Sequence, residues 1–235
     1  MTPSSPSPGS RPVPSEEALL PSKEALQVGL TGNVASGKST VARVWSHMGI
    51  PVVSADDLAR EAVAPGTAGL EAVVELMGPE VRAADGGLDR AAVRRRVFRD
   101  PELRERLEAI LHPRIAELRA AWVRDREGEG HRILVSEVPL LFEADLAHHF
   151  HRVVVVHTDA HLRRERLVRD RGLDQEEARR IMDAQGDPDA KRRAAHHVLV
   201  NHGSRGELEA AARALMERLQ AEAGAGAGPG GEAAP

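Results

Sequence analysis

The chain has 235 residues, of which 41% are hydrophobic and 29% charged, and its net charge at pH 7 is −4. This mild acidic charge gives no electrostatic basis for binding nucleic acid. Five aromatic side chains and no tyrosine argue against a stacking platform for single strands, and the lack of cysteine excludes disulfides and thiol nucleophiles. The composition fits the reducing cytoplasm, and no apolar run has the roughly 18 residues of a membrane span.

The two ends of the chain have biased compositions. Residues 1–25 are rich in Pro and Ser, and residues 223–235 are almost entirely Ala and Gly. Such segments bury too little apolar surface to offset the entropy lost on ordering. We therefore predict two disordered tails and one ordered domain at 26–222, and we expect the protein to be a monomer.

Short apolar runs alternate with helical patterns along the ordered part. Each run is continuous in its apolar residues and ends at a turn residue or a polar group, which is typical of a buried strand. Alternation with helices favours a parallel sheet covered on both faces. The predicted strands are 25–31, 50–54, 132–136, 152–157 and 196–201.

Helices fill the intervals between these strands. Spacing of apolar residues predicts helices at 38–48, 56–64 and 205–221, and an Arg-rich helical region at 159–185. Residues 67–127 have little strand pattern and read as a helical insert, with breaks at Gly78-Pro79, at 85–87 and at His112-Pro113. Asp100 before Pro101 is typical of a helix start within that insert.

The segment GNVASGKST lies between the first predicted strand and the first predicted helix, and it matches the phosphate-binding pattern G-x-x-x-x-G-K-[ST]. Glycines let backbone N–H groups turn toward phosphates, and the helix N-terminus adds partial positive charge. Lys38 would bridge the β- and γ-phosphates of a bound nucleotide, and the Ser39 hydroxyl would ligate Mg²⁺. The predicted ATP-binding residues here are Gly32, Asn33, Val34, Ala35, Ser36, Gly37, Lys38, Ser39 and Thr40.

Lysine is scarce in this chain. Of its 32 basic residues only Lys23, Lys38 and Lys191 are lysines, and the rest are arginines. A compact ammonium fits between phosphates where a wide guanidinium does not. The lysine at position 38 is therefore consistent with a phosphate contact.

Three uses of a phosphate loop compete. A GTP switch would carry an N/T-K-x-D segment, which is absent, and a motor would need a basic or aromatic track. A small-molecule kinase needs an acid near the γ-phosphate, an acceptor pocket and an arginine lid that excludes water. Candidates for all three are present, so we favour a kinase; a kinase acting on a nucleoside or nucleotide and a non-catalytic nucleotide-binding regulator remain as alternatives.

Two acids follow predicted strands. Asp56 comes after the second strand and could accept the proton of an attacking hydroxyl; alternatively, Asp56 and Asp57 are first-turn helix acids favoured by the helix dipole. Glu137 closes the third strand and could hold Mg²⁺. The carboxyl ends of parallel strands meet at one sheet edge, so these acids are expected beside the phosphate loop.

The lid candidate is the Arg-rich stretch 161–172, in which at least one of five arginines could clamp the transferring phosphoryl group. The alternative for any single arginine is a solvated helix face with ion pairs at i,i+4. Histidines cluster at 148–151 and 196–197, and without a carboxylate spaced to complete a ligand set we interpret them as surface histidines.

Several ordered motifs together resemble the dephospho-coenzyme A kinase family. The resemblance covers about residues 26–220. It includes the phosphate loop, GIPVVSADDLAR, AILHP, EVPLLFE, RLVRDRG, IMDAQ and VLVNHGS. Ser54, Glu137 and His196 stand where the family usually has Asp.

The resemblance implies a P-loop NTPase three-layer α/β sandwich with a five-stranded parallel sheet, a helical substrate-binding insert and an Arg-rich lid. It implies Mg²⁺- and ATP-dependent phosphorylation of the ribose 3′-hydroxyl of dephospho-CoA, with the insert 67–127 holding the pantetheine side. Asp56 would be the general base, with Arg166 and Arg169 in the lid. The further implied contacts are Arg60 and His112 for dephospho-CoA, Asn201 and Gly203 for ATP, and Glu137 for the metal.

Overall fold

The computed structural model describes residues 21–22 and 24–225. Its sheet has the strand order β2-β3-β1-β4-β5, and every pairing is parallel. The prediction of a five-stranded parallel sheet is confirmed, and the strand ends lie within two residues of those expected. The strands are β1 at Leu26–Thr31, β2 at Val52–Ser54, β3 at Ile133–Glu137, β4 at Arg152–His157 and β5 at His197–Val200.

The helices alternate with these strands. Within the described residues, no helix combines the length and the apolar character needed to cross a bilayer. Asp100 accepts a hydrogen bond from the Leu103 amide at 2.9 Å, as its predicted place at a helix start requires. Helices α1 to α9 run at Lys38–His47, Ala55–Glu61, Ala68–Met77, Arg90–Val97, Pro101–Gly128, Ala160–Arg171, Gln175–Asp183, Pro188–Ala194 and Arg205–Ala225.

The described residues form two compact units. One covers 59–121 and contains α3, α4 and most of α5, with a core that includes Leu70, Val73 and Leu107. The other comprises the described parts of 20–58 and 122–235 and contains the whole sheet. The phosphate loop and the predicted lid region belong to this second unit.

One face of the sheet is covered by α1 and α9. Trp45 on α1 is fully buried and packs in the cluster that contains Val28 and Leu30 of β1 and Met216 of α9. Its indole Nε1 donates a hydrogen bond to the Ala212 carbonyl at 2.8 Å, which ties α1 to α9. The phosphate loop leads into α1, so this packing fixes the direction in which the helix start points.

The opposite face of the sheet is covered by two smaller clusters. Leu141 and Phe150 pack with Val153, and they approach β1 so closely that a Cβ at Gly29 would lie 2.7 Å from Leu141. A second cluster joins Leu134 to Ala25 and to Val123 of α5. Apolar groups therefore bury the sheet from both sides, as the continuous apolar strands predict.

Two expectations need correction. Pro113 does not break the helix at His112-Pro113, because α5 continues through it to Gly128. Proline removes one backbone donor from the helix, and in this disturbed turn the Arg114 side chain donates to the Ile110 carbonyl at 2.6 Å. The carbonyl that loses its helical partner at Pro113 is that of Ala109, four residues earlier, and the helix continues past it.

The packed region also extends past the expected limits of 26–222. Ala25 is buried, and α9 continues to Ala225. The remaining parts of the predicted tails, 1–20 with residue 23 and 226–235, lie outside the described residues.

We expect Trp45→Ala to lower the free energy of unfolding of the sheet-containing unit by about 3–5 kcal/mol, because the change leaves a large cavity and removes the hydrogen bond to the Ala212 carbonyl. Urea denaturation followed by circular dichroism measures this loss. Phe98→Ala is the matched control, since Phe98 is 89% exposed and its removal should change stability by less than about 0.5 kcal/mol. Equal losses in the two variants would contradict the assigned role of Trp45.

Candidate active site

The phosphate loop joins β1 to α1 and depends on two glycines. Gly32 and Gly37 have φ angles of 145° and 104°, where side chains other than glycine are strained. A Cβ at Gly32 would lie 2.4 Å from the Val156 carbonyl oxygen, and one at Gly37 would lie 2.5 Å from Asn201 Nδ2. The loop therefore lies directly against β4 and the residue that follows β5. Ala35 also has a positive φ, of 59°, within the same loop.

The outer side of this loop is held through its carbonyl groups. The Ser36 carbonyl accepts hydrogen bonds from Asn201 Nδ2 at 2.8 Å and Thr158 Oγ1 at 3.0 Å, and both donors are buried. Arg166 donates to the Ala35 carbonyl at 3.3 Å and to the Asn201 carbonyl at 3.1 Å. Asn201 and Arg166, both predicted from the sequence, thus contact the phosphate loop on the side of its carbonyl groups.

Lys38 begins α1 and folds back over the loop. Its Nζ donates to the Gly32 carbonyl at 2.8 Å and to the Asn33 carbonyl at 3.1 Å. Burial lowers the pKa of Lys38 to about 8. This amine is poised for an anion, because a nearby negative charge would restore its preference for the charged form.

Charged groups from four further elements act on Lys38. Glu137 and Asp56 oppose the lowering of its pKa, whereas Lys191 and Arg171 add to the lowering caused by burial. Two acids and two further cations therefore lie within electrostatic reach of the phosphate-loop lysine. Asp56 and Glu137 were predicted from the sequence to lie here; Arg171 was one of the five lid arginines, and no role was predicted for Lys191.

The two acids come from neighbouring strands. Glu137 at the end of β3 is in register with Ser54 at the end of β2, and Asp56 follows on the first turn of α2. Burial raises the pKa of Glu137; Lys38 opposes this rise, and Asp56 and Asp57 add to it. Ser54 stands where the dephospho-coenzyme A kinase family usually has Asp. Its hydroxyl accepts a hydrogen bond from the Asp56 amide at 3.2 Å and so supports the start of α2, the helix that carries Asp56.

The turn after α7 lies against the phosphate loop, although no role was predicted for it from the sequence. The Val34 amide donates to Gln185 Oε1 at 2.7 Å, and Asn33 Nδ2 donates to the Gly186 carbonyl at 3.3 Å. Gln185 is the last residue of the IMDAQ motif, so the resemblance to the kinase family already included this residue. Nothing in its spacing indicated which backbone group the amide would meet.

A buried ion pair supports that turn. Lys191 is 3% exposed and donates to Glu143 Oε1 at 2.6 Å, and the same oxygen accepts from the Gly186 amide at 3.2 Å. Glu143 itself lies in a turn. Lys191 is one of only three lysines in the chain, and this scarcity could have marked it as it marked Lys38.

Other predicted residues are placed differently. Arg169 is 62% exposed in its side chain and binds Asp170 and Glu165 on its own helix, so the structure does not bring it to the loop. Arg60 and His112 are exposed and belong to the 59–121 unit. Gly203 lies two residues before α9, which begins at Arg205, and Ser39 and Thr40 lie in the first turn of α1.

Comparisons with known proteins agree on one family. The model of the dephospho-CoA kinase family matches residues 26–207. A Corynebacterium glutamicum dephospho-CoA kinase is 40% identical over 185 residues, which are 79% of this chain and 95% of that protein. A Mycobacterium bovis dephospho-CoA kinase is 41% identical over 188 residues, or 80% of this chain and 46% of that protein. The chain thus spans about half the length of the mycobacterial relatives it matches.

Solved structures agree in fold. A Thermus thermophilus protein superposes with a TM-score of 0.70 at 35% identity, covering 83% of this chain and 98% of its own. A Campylobacter jejuni dephospho-CoA kinase gives 0.65 at 22% identity, with 83% and 98% covered, and supports the fold alone. Taken with the sheet and the phosphate loop, these matches establish a three-layer P-loop fold, and the chain belongs to the dephospho-CoA kinase family.

Proposed function

We propose that this protein transfers the γ-phosphoryl group of ATP to the ribose 3′-hydroxyl of dephospho-CoA, giving ADP and coenzyme A. The supporting observation is the group of charges at one sheet edge, where Lys38 lies within electrostatic reach of Asp56 and Glu137. A phosphate-binding lysine beside two carboxylates supplies both a donor site and a proton acceptor. Family membership supports ATP as donor and dephospho-CoA as acceptor.

The donor half of the site is the phosphate loop. Backbone amides of the phosphate loop bind phosphate oxygens, and Lys38 exchanges its bonds to the Gly32 and Asn33 carbonyls for bonds to the β- and γ-phosphates. Burial makes this exchange favourable, because a desolvated ammonium gains more from an anion than from a neutral carbonyl. Asn201 and Gly203 border the adenine in this proposal.

The acceptor half centres on Asp56. Its carboxylate orients the 3′-hydroxyl in line with the leaving group and takes the proton of that hydroxyl as the new oxygen–phosphorus bond forms. Arg60 and His112 bind the acceptor, and the helical insert 67–127 holds its pantetheine side. The exposed position of Asp56 on the first turn of α2 is open to an incoming substrate.

A magnesium ion fits the donor set at this edge. Burial raises the pKa of Glu137, and a second and third carboxylate, Asp56 and Asp57, also oppose its ionisation, so a hard divalent cation would relieve this repulsion. Ser39 and Glu137 would hold the ion. Bound there with ATP, Mg²⁺ would neutralise charge on the phosphate oxygens.

Lid residues supply the remaining positive charge. Arg166 and Arg169 are the lid arginines proposed to stabilise charge on the transferring phosphoryl group. The hydrogen bond from Arg166 to the Ala35 carbonyl supports this role for Arg166. Arg171 and Lys191 act on Lys38 electrostatically, so we add them as cations that stabilise charge on the transferring group. Glu143 positions Lys191 through their ion pair.

We expect ADP formation from Mg-ATP to require dephospho-CoA. A coupled assay measures ADP with dephospho-CoA, adenosine, AMP, cytidine or no acceptor. Dephospho-CoA whose ribose 3′-hydroxyl is replaced by hydrogen is the matched control and should give no transfer. Turnover with adenosine, AMP or cytidine alone would indicate a different kinase, and ADP release that is absent or independent of an acceptor would favour a nucleotide-binding regulator.

We expect Asp56→Ala to lower kcat by about 10²–10⁴, the usual range for loss of a general base, with little change in the Kd of ATP. Asp57→Ala is the matched control, because Asp57 is an exposed acid on the same helix turn. Steady-state kinetics and calorimetry separate the two quantities. Near-wild-type turnover in Asp56→Ala, or an equal loss in Asp57→Ala, would remove Asp56 from this role.

We expect ATP to bind more weakly as pH rises above about 8. The pKa of Lys38 is about 8 in the nucleotide-free loop, and phosphate raises it, so above pH 8 binding has to take up a proton. The Kd should rise by up to about tenfold per pH unit until the pKa of the complex is reached. Titration calorimetry from about pH 6.5 to 9.5 measures this change.

The Lys38→Ala variant controls for other titrating groups in that experiment. Its affinity for ATP should be low and should lack the additional weakening above pH 8. A wild-type Kd that stays constant from pH 7 to 9.5 would contradict the link between Lys38 and bound phosphate.

A further inference from the structure

Three side chains of the kind that bind metals converge at the ends of β4 and β5. His157 ends β4, Asp159 follows two residues later, and His202 follows β5. Asp159 Oδ1 lies 3.5 Å from His157 Nε2 and 3.2 Å from His202 Nε2. The ligand atoms of all three residues lie within 4.8 Å of one another.

Asp159 is unusual among the residues that precede helices in this protein. It occupies the N-cap position of α6, yet its side chain makes no capping hydrogen bond. Asp89, Asp174 and Asp187 occupy the same position before α4, α7 and α8, and each accepts a backbone N–H there. The Asp159 carboxylate instead faces two imidazoles, which forgoes roughly 1 kcal/mol of capping.

The two separations between Asp159 and the histidines match the edges of a tetrahedral site. Zinc–nitrogen and zinc–oxygen bonds of about 2.0–2.2 Å at tetrahedral angles place neighbouring ligand atoms about 3.3–3.5 Å apart. Two imidazole nitrogens and one carboxylate oxygen are a donor set that suits Zn²⁺ and its neighbours in the first transition row. The three side chains would therefore need little movement to enclose such an ion.

The backbone that carries these side chains is well fixed. The Asn201 amide donates to the His157 carbonyl at 2.8 Å, which joins the two segments directly before His202. Thr158 and Asn201 both donate to the Ser36 carbonyl of the phosphate loop. The ligand set is thus built on the same two segments that support the loop.

A neighbouring cation bears on this site. Arg192 acts electrostatically on His157, and a positive charge nearby opposes the binding of a metal ion. Arg192 is itself paired with Asp189, whose carboxylate lies 3.3 Å away. The Asp159 carboxylate, which contacts both histidines, supplies the negative charge inside the ligand set.

We propose that His157, Asp159 and His202 form a binding site for one transition-metal dication of the zinc class, separate from the magnesium ion that accompanies ATP. Water completes the coordination as a fourth ligand. The ion would link the segment after β4 to the segment after β5 and so stiffen the two supports of the phosphate loop. This site does not depend on the identity of the phosphoryl acceptor.

The test is Zn²⁺ binding by the nucleotide-free full-length protein, measured by competition with a chromogenic chelator in millimolar Mg²⁺ to occupy oxygen-ligand sites. We expect one Zn²⁺ per chain. His202→Ala and Asp159→Ala should each weaken binding by at least about 100-fold, because each removes one of three ligands. His202 is exposed, so its variant should fold. His161→Ala is the matched control, as an exposed histidine two residues beyond Asp159, and should bind as the wild type does.

Thermal unfolding provides a second measurement on the same proteins. A hundredfold excess of free Zn²⁺ over its Kd should raise the Tm of the wild type and of His161→Ala by roughly 5–10 °C, and should leave the other two variants unchanged. Failure of the wild type to take up Zn²⁺ would overturn the proposal. Uptake in His202→Ala and Asp159→Ala at wild-type affinity would also overturn it.

Discussion

The need to pair the carbonyl groups of the phosphate loop governs the arrangement around it. A loop that turns its N–H groups inward to a phosphate turns its carbonyls outward into the protein, where an unpaired buried carbonyl costs about 1–3 kcal/mol. Asn201 and Thr158 satisfy Ser36, and Arg166 satisfies Ala35. The ends of β4 and β5 and the lid helix are therefore joined to the loop before any nucleotide binds.

Sequence patterns predicted much of this structure for physical reasons that are local. Continuous apolar strands identified a parallel sheet, and glycine and lysine spacing identified the phosphate loop. Parallel strands align their carboxyl ends, so Asp56 and Glu137 could be placed beside Lys38 before the fold was known. Each inference used residues that lie near one another in the chain or at equivalent ends of strands.

What the sequence could not predict depends on contacts between distant segments. The Gln185 carboxamide meets the Val34 amide across 151 positions, and Lys191 meets Glu143 across 48. No local period encodes such pairings. Five arginines in one helical stretch looked equivalent in sequence, yet packing turns Arg166 to the loop and leaves Arg169 among acids of its own helix. Tertiary packing, which the composition of the stretch does not reveal, therefore decides which arginine contacts the phosphate loop.

The low pKa of Lys38 has a chemical consequence beyond phosphate binding. An amine is nucleophilic only when uncharged, and at neutral pH a pKa of about 8 gives Lys38 an uncharged fraction roughly a few hundred times that of an ordinary lysine. In the empty loop this makes it a target for acylating agents, whose attack would abolish its charge for good. Bound nucleotide raises the pKa of the same amine, which then takes up a proton from solvent, and it also covers the amine, so the substrate protects Lys38 from acylation.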